Sequence, residues 1–169
     1  MRILVTVASK HGGTQEIAAT IAADLVSRGL DVTHVPVEEV GSVDGYDAVV
    51  LGSGVYFGRW LKPAKAFAQR ESAALSGRPV WLFSSGPVGG AASKPEEAGD
   101  RRDGDEIAEA VAARGHRLFA GRLDRKRLNL AERAAVRIAK AADGDDRPWD
   151  EIHAWAGSIA DSLRSTVSP

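Results

Sequence analysis

The sequence predicts an α/β fold in which helices cover both faces of a parallel sheet. Short apolar runs rich in β-branched residues alternate with segments whose apolar residues recur at helical spacing. This alternation is typical of βαβ units, whose right-handed crossovers bring successive strands into one parallel sheet. A chain of 169 residues, 44% hydrophobic and 27% charged, is long enough to bury a sizeable core. We therefore expect a single domain, residues 1–169, built as a three-layer αβα sandwich around five parallel strands.

The strands are predicted from apolar runs that end in small or turn-forming residues. Ile3–Ala8 has the continuous apolar pattern of a strand buried on both faces, whereas Pro36 favours an edge position for the second strand. The five predicted strands are 3–8, 31–37, 48–51, 80–83 and 117–120.

The helices are predicted from apolar residues at three- and four-residue spacing. Glycines follow the first two helices, and Pro148 suits the first turn of the last, whose apolar face includes Ile152, Ile159 and Leu163. The predicted helices are 14–28, 62–75, 105–113 and a closing helix from Trp149.

Two segments depart from the simple alternation of strands and helices. Residues 89–104 lack periodicity and are predicted to form a long mobile loop. Residues 122–147 form an insertion before the closing helix. Its centre is predicted to be helical, because Asn129 and Glu132 have the spacing of a capping box and Gly144 follows the last turn.

Composition and charge exclude several classes of function. The chain has no cysteine, which rules out disulfides, thiolate metal sites and cysteine nucleophiles. With 22 basic and 23 acidic residues the net charge is −1, so we expect no nucleic-acid partner. The sequence has no signal-peptide pattern and no apolar run of membrane-spanning length, from which we expect a cytoplasmic protein.

The segment after the first strand has the composition of a phosphate-binding loop. Ligands of open parallel sheets bind beyond the carboxyl ends of the strands. Here the residues between strand and helix offer hydroxyls, a cation, two glycines and a helix N-terminus. They are Ser9, Lys10, His11, Gly12, Gly13 and Thr14. The alternative is a helix capped after a glycine turn, and composition alone leaves the two equally weighted.

The loops predicted after the third and fourth strands are also rich in small residues. In the first of them, three glycines allow a flat ligand to approach the backbone, and Tyr56, Phe57 and Trp60 offer rings for stacking. The alternative is that these aromatic rings pack in the core beneath the loop. After the fourth strand come serines, glycines and a proline, from Ser84 to Gly90.

Common catalytic and nucleotide-binding motifs are absent. There is no GxxxxGK[ST] loop, no GxGxxG after the first strand and no GxSxG elbow. The acidic residues of a receiver domain are missing after the first and third strands. The four histidines are scattered along the sequence, so no metal site is expected.

The loops together resemble those of flavodoxin-like proteins. Ser9-x-x-Gly12-x-Thr14 resembles the FMN phosphate loop of flavodoxins and stands at the same place. The chain is similar in particular to the flavodoxin-domain family that includes bacterial menaquinone-dependent protoporphyrinogen oxidase. The segments that carry this similarity are 52–58, Lys94-Pro95-Glu96, Ala120-Gly121-x-Leu123 and the closing helix with Trp149-x-x-Ile152.

This resemblance implies a flavodoxin-like sheet of order 2-1-3-4-5 that binds FMN. The phosphate would lie in the first loop, and the isoalloxazine ring between the loops after the third and fourth strands. The implied cofactor-binding residues, besides the six of the phosphate loop, are Ser53, Gly54, Val55, Tyr56, Phe57, Gly58, Ser85, Gly86, Pro87, Val88 and Gly89.

A basic patch within the insertion is the candidate site for a substrate or partner. Residues 122–140 contain seven basic and two acidic residues. The patch residues are Arg122, Arg125, Lys126, Arg133, Arg137 and Lys140. Such a surface would suit an anionic substrate such as a porphyrin, or peripheral contact with an anionic membrane that holds quinone. The alternative is a solvated helix packed through its Ala/Leu stripe.

The resemblance implies an FMN-dependent oxidoreductase that passes electrons or hydride through the flavin to or from a porphyrinogen, a quinone or a redox partner protein. Two alternatives stay open: a flavodoxin-type electron carrier without its own small-molecule substrate, and a flavin-free interaction domain. The near-neutral charge disfavours the carrier, because flavodoxins are usually strongly acidic. No side chain stands out as a general acid or base, so the catalytic residues are unknown.

Overall fold

A computed structural model describes residues 1–86, 102–138 and 144–167 of the protein. It contains a sheet with five parallel strands, flanked by helices on both faces. In chain order the parallel strands are β1 (Arg2–Ala8), β2 (Asp31–Pro36), β3 (Ala48–Tyr56), β5 (Val80–Gly86) and β6 (Gly115–Ala120), and β4 (Arg59–Trp60) is a short antiparallel strand paired with β3. The strand order is β2-β1-β3-β5-β6, which confirms the predicted order of the five parallel strands and the edge position of the second.

Six helices and two short 3-10 turns complete the described chain. The helices are α1 (Gly13–Ser27), α2 (Lys62–Arg70), α3 (Ser72–Ser76), α4 (Arg102–Ala110), α5 (Leu130–Ile138) and α6 (Trp149–Val167), and the 3-10 turns are Val37–Glu39 and Arg125–Arg127. The closing helix begins directly after Pro148, as predicted, with its first hydrogen bond from the Ile152 N–H to the Pro148 carbonyl (3.0 Å).

The sheet separates two apolar cores. On one face α1 and α6 pack over a cluster of three buried rings, Phe83, Phe119 and Trp155, whose centroids lie 5.6–6.3 Å apart. On the other face α2 and α3 bury Phe67 and Leu75 against the sheet. Because alternate residues of a strand point to opposite faces, the apolar runs of β1, β3 and β5 supply both cores.

Two predicted helices differ from the observed ones. The helix predicted over 62–75 is divided at Glu71, where the backbone (φ −95°, ψ 5°) leaves the helical region. The buried Glu71 carboxylate accepts the Val43 N–H (3.3 Å), while the Glu71 N–H still donates to the Phe67 carbonyl (3.0 Å). The helix predicted over 105–113 begins three residues earlier and ends at Ala110, because Ala112 adopts φ 51° and the Ala113 N–H bonds back to the Ala108 carbonyl (2.8 Å).

The segment predicted to be a mobile loop, 89–104, is only partly described. Its last three residues belong to α4, which corrects the predicted boundary, and residues 89–101 lie outside the described residues. Gly104 lets the first turn of α4 pack closely on β6, because a Cβ there would lie 2.2 Å from the imidazole of His116.

The insertion forms a small substructure of its own. The strands β7 (Arg122–Leu123) and β8 (Gly144–Asp145) pair antiparallel and enclose α5. The capping box is confirmed, because the Asn129 Oδ1 accepts the Glu132 N–H and a Glu132 carboxylate oxygen accepts the Asn129 N–H, both at 2.9 Å. Gly144, predicted to follow the last helical turn, instead lies in β8, where strand pairing fixes it.

Candidate functional site

The carboxyl ends of β1, β3 and β5 meet at one edge of the sheet. In the strand register Ala8 lies beside Ser53, Ser53 beside Ser84, and Gly54 beside Ser85. This register brings the three predicted loop regions together, because neighbouring parallel strands end at the same level.

The predicted phosphate loop, residues 9–14, is a tight turn that leads into α1. Gly12 has φ 84°, a left-handed conformation that glycine adopts without strain, and its N–H donates to Ser9 Oγ (3.2 Å). The first helical hydrogen bond runs from the Glu16 N–H to the Gly12 carbonyl (3.1 Å). The amides of residues 13–15 therefore precede the helical ladder and remain available to an anion.

Thr14 lies at the contact between the phosphate loop and β3. It is 6% exposed, and a Cβ at Gly54 would lie 3.2 Å from its hydroxyl oxygen. Within the part of the chain that the structure describes, this hydroxyl has no hydrogen-bond partner. Together with the free amides and the Lys10 ammonium, it fits a phosphate group, which accepts hydrogen bonds from all three kinds of donor.

The residues predicted to form a loop after the third strand are instead part of a β-hairpin. β3 continues to Tyr56, and Arg59–Trp60 folds back on it as β4. Phe57 and Gly58 make the turn, with φ 50° and 71°. Both values are positive, as in the type I′ turns that join the strands of tight hairpins. The prediction of a loop fails because five residues, Gly52 to Tyr56, extend the strand although two of them are glycine.

The hairpin separates its three aromatic side chains into different environments. Trp60 is 3% exposed and donates its indole N–H to the buried Ser84 hydroxyl (2.7 Å), so it is a core residue. Phe57 is 81% exposed at the tip of the hairpin. Tyr56 is half-buried and faces the phosphate loop. Two of the three rings therefore remain available for stacking on a ligand.

Asp103 of α4 fixes the hairpin to the body of the domain. Its side chain is 1% exposed and accepts the Trp60 N–H (3.0 Å) and the Lys65 ammonium (2.9 Å), with the Arg59 guanidinium at 3.4 Å. Burial alone would raise the pKa of Asp103, but these donors outweigh it and hold the pKa below its ordinary value. The carboxylate thus stays charged and holds the position of the hairpin.

The serines and glycines of β3 and β5 that are predicted to bind the cofactor differ in their surroundings. Ser53 is fully buried, where its hydroxyl donates to the Gly54 carbonyl (2.9 Å) and accepts the Leu61 N–H (3.0 Å). Ser85 and Gly86 end β5, and a Cβ at Gly86 would lie 2.9 Å from the Val55 side chain. Pro87, Val88 and Gly89 lie outside the described residues. Their roles toward a cofactor stay predictions.

Tyr56, Lys10 and His11 form a cluster beside the phosphate loop. The Lys10 ammonium lies 5.5 Å from the centre of the Tyr56 ring, and the His11 ring lies 5.9 Å from it. Burial, together with the negative charge of Glu132, raises the pKa of Tyr56 to about 12, so its phenol stays neutral at physiological pH.

The insertion packs directly over the phosphate loop. The Glu132 carboxylate, 9% exposed, forms an ion pair with Lys10 and lies 3.3 Å from His11 Nε2. Arg127 donates from Nη1 to the His11 carbonyl (3.0 Å). Burial would raise the pKa of Glu132, but hydrogen bonds and charges from Lys10, Asn129 and His11 lower it, so the group remains a carboxylate.

The structure divides the predicted basic patch. Arg122 pairs with Glu16 of α1 (3.0 Å) and so fixes the insertion to the domain. Lys126, Arg133 and Arg137 are exposed. Arg125 lies in the 3-10 turn of the insertion, and Lys140 lies outside the described residues. Contact of this surface with a ligand stays a prediction.

Arg147 joins the insertion to the start of α1. Its guanidinium is 4% exposed and donates to Asp145 (2.5 Å), Glu16 (2.6 Å) and the Gly13 carbonyl (3.3 Å). Arg147 lowers the pKa of Asp145 mainly by its hydrogen bond. Burial would raise the pKa of Glu16, but Arg147 and Arg122 outweigh it, and the pKa is lowered.

Replacing Arg147 by glutamine should destabilise the protein in a pH-dependent way. Both carboxylates have lowered pKa values in the fold, so their contribution is full above their ordinary values of 4.5 and 3.8 and is lost as pH falls below them. We expect R147Q to lower the free energy of unfolding by about 2 kcal/mol at pH 7, because it removes the cation that pairs with both carboxylates. The loss is not larger, since the two carboxylates are partly exposed and solvent screens their charge. In urea unfolding the difference from wild type should shrink between pH 5 and 3. A difference that is constant across this range would contradict the assignment.

Two of the contacts at the loop were not predictable from the sequence. Arg127 was one of a run of basic residues with no feature that distinguished it, and Glu132 was identified only as a helix cap. The capping-box spacing signals a local bond, whereas the contact of Glu132 with Lys10 spans 122 residues.

The chain is similar to known flavoproteins in sequence and in fold. Residues 4–148 match the family described as Flavodoxin domain. Over 99 residues the chain is 29% identical to protoporphyrinogen IX dehydrogenase [quinone] of Escherichia coli K12, which covers 57% of this chain and 53% of that protein. The chain thus aligns with about half the length of the curated relatives it matches.

Solved structures agree on the fold. A flavodoxin from the domain Archaea superposes with a TM-score of 0.66 at 17% identity, covering 97% of this chain and 99% of that one. Rubredoxin oxygen:oxidoreductase from Desulfovibrio gigas gives 0.67 at 12% identity, covering 99% of this chain and 37% of that one. No helix among the described residues is long and apolar enough to cross a membrane. The strand order, the loop at the end of β1 and the family match over residues 4–148 lead to one conclusion: the chain belongs to the flavodoxin domain family.

Proposed function

We propose that this protein binds FMN and acts as a flavin-dependent oxidoreductase. The observation that carries the proposal is the loop between β1 and α1: the amides of residues 13–15 precede the helical ladder, the Thr14 hydroxyl has no partner among the described residues, and Lys10 belongs to the same loop. Ser9 holds the turn in shape through its bond to the Gly12 N–H. An anion placed here gains charge-assisted hydrogen bonds and the positive end of the helix.

The flavin ring would lie between the hairpin and the end of β5. Tyr56 and Phe57 offer aromatic faces on one side, and Ser85 and Gly86 offer backbone groups on the other. When bound, the flavin supplies one- and two-electron chemistry, and the protein orients it and sets its potential. The neutral Tyr56 phenol adds no charge beside the ring.

We propose a substrate of the protoporphyrinogen type, oxidised with transfer of electrons to a quinone. The insertion supports this through a surface that combines apolar area with positive charge. Leu130 is 84% exposed at the start of α5, and it lines an open depression of about 630 Å³ together with Leu128, Ala131 and Arg133. Such a surface suits a flat, apolar molecule with carboxylate substituents. The similarity to the Escherichia coli dehydrogenase, at 29% identity over part of the chain, points to the same substrate class.

FMN should bind at least about 100-fold more tightly than riboflavin, because the phosphate makes several hydrogen bonds worth roughly 1.5–3 kcal/mol each. The measurement is titration of the apoprotein with each flavin, followed by flavin fluorescence. Equal affinity for the two flavins would exclude the loop as a phosphate site. No binding of either would favour a flavin-free interaction domain.

Turnover of a small-molecule substrate distinguishes the proposed enzyme from an electron carrier. The FMN-loaded protein is expected to oxidise protoporphyrinogen in the presence of a menaquinone analogue. The carrier remains the second candidate, because the archaeal flavodoxin matches 97% of this chain and nearly its own whole length. FMN binding without turnover, together with salt-dependent electron exchange with a reductase, would favour the carrier. For either role we propose a cytoplasmic location, with at most peripheral membrane contact.

A further inference from the structure

An acidic side chain of the insertion lies where the proposed phosphate site has its positive charge. The Glu132 carboxylate is 9% exposed and forms an ion pair with Lys10, while His11 Nε2 lies 3.3 Å away. Lys10 and His11 are the two side chains of the loop that can carry a positive charge. Both therefore already face an anion that the chain itself provides.

The capping role of Glu132 does not account for its charge. Glu132 accepts the Asn129 N–H at 2.9 Å to close the capping box of α5. Glutamine at this position of a capping box also accepts that bond, through its neutral amide oxygen. A charge in the first turn of α5 also interacts favourably with the helix dipole, but the two side chains that the carboxylate contacts, Lys10 and His11, both belong to the phosphate loop.

A carboxylate and a phosphate are competing ligands for the same cation. A phosphate monoester brings up to two negative charges, and like charges a few ångströms apart in a partly buried site repel each other strongly. Riboflavin, without phosphate, brings no such charge. The presence of Glu132 therefore weakens binding of the phosphorylated flavin and leaves binding of the unphosphorylated one unchanged.

We propose that Glu132 is a specificity-determining residue: an internal anion that competes with the flavin phosphate for Lys10 and His11 and thereby limits the preference for FMN over riboflavin. The inference rests on the proposed function. It also implies that cofactor binding loosens the contact between α5 and the phosphate loop, because phosphate and Glu132 cannot both neutralise Lys10.

Glu132→Gln tests the competition while preserving the helix cap. We expect E132Q to bind FMN about tenfold more tightly than wild type and riboflavin with unchanged affinity, as measured by fluorescence titration. The control is Glu38→Gln, which removes the same charge from an exposed site in the 3-10 turn after β2 and should change neither affinity. Thermal unfolding of both variants checks that the fold is intact.

Lys10→Gln in both backgrounds identifies the cation for which the two anions compete. In wild type Lys10 is already neutralised by Glu132, so K10Q should weaken FMN binding less there than in E132Q. Wild-type protein that binds FMN, with E132Q binding it equally or more weakly, would overturn the inference and leave the proposed function in place. Failure of wild type and E132Q alike to bind FMN would overturn both.

Discussion

The double variant Ser9→Ala/Thr14→Val should bind FMN roughly 100- to 1,000-fold more weakly than wild type and bind riboflavin with nearly unchanged affinity. Ser9 Oγ accepts the Gly12 N–H (3.2 Å) and so fixes the turn, while the Thr14 hydroxyl is a donor at the loop. A hydrogen bond to a charged group contributes about 1.5–3 kcal/mol, and each 1.4 kcal/mol is a factor of ten in affinity. The measurement is fluorescence titration with both flavins.

Thr20→Val is the matched control for the loop variant. Thr20 lies in the same helix, α1, but its hydroxyl donates to the Glu16 carbonyl (3.0 Å) and does not reach the loop. Removal of this hydroxyl should leave both flavin affinities as in wild type. If the double variant weakens FMN and riboflavin equally, the two hydroxyls act on the fold or on the ring site and not on the phosphate.

Truncation of Phe83 to alanine should lower the free energy of unfolding by about 3–5 kcal/mol. The Phe83 side chain is fully buried and contacts the rings of Phe119 and Trp155. Gly52 lies against it so closely that a Cβ would come within 2.1 Å of the ring. A domain of this size is stable by only about 5–15 kcal/mol, so the cavity removes a large share of that stability. Urea unfolding at pH 7 measures the effect.

Phe57→Ala is the matched control for Phe83→Ala, because it truncates an exposed phenylalanine and not a buried one. Phe57 is 81% exposed at the hairpin tip, so its truncation should change the free energy of unfolding by less than about 0.5 kcal/mol. The same variant should weaken binding of FMN and riboflavin alike if the Phe57 ring stacks on the flavin.

A loss below 1 kcal/mol in the free energy of unfolding for Phe83→Ala would mean that α6 collapses into the space, contrary to the packing described.

The insertion contacts the rest of the domain at its two ends and at its centre. Its two ends are held by ion pairs, because Arg122 and Arg147 both pair with Glu16 of α1. Its centre contacts Lys10 and His11 of the predicted phosphate loop through Glu132 and Arg127. A substrate or partner that binds the exposed cations of α5 would therefore contact a helix that also touches the phosphate loop, which offers a direct physical connection between substrate and cofactor.

Much of the architecture follows from patterns that are local in the sequence. The apolar runs of β1 and β5 and the helical spacing of α1 and α6 determine strand, helix and buried face, because burial repeats with the period of each element. The order of strands and helices then places the end of β1 before a helix N-terminus. Ser9, Gly12 and Thr14 could accordingly be identified as candidate phosphate-loop residues, and their resemblance to the flavodoxin loop favours that role over a helix capped after a glycine turn.

Other features were decided only by contacts between distant parts of the chain. Local composition predicts a glycine-rich loop after residue 51, whereas pairing with β5 extends β3 to Gly54 and pairing with β4 extends it to Tyr56. The buried Trp60 of β4 donates its indole N–H to Ser84 of β5. The contact of Asp103 with the hairpin is also long-range. So is the contact of Glu132 with Lys10, which joins residues 122 positions apart. Periodicity specifies which face of an element is buried but not which element covers it. The sequence by itself determined the sheet and the glycine turn between β1 and α1, and tertiary packing decided which anions and rings surround that turn.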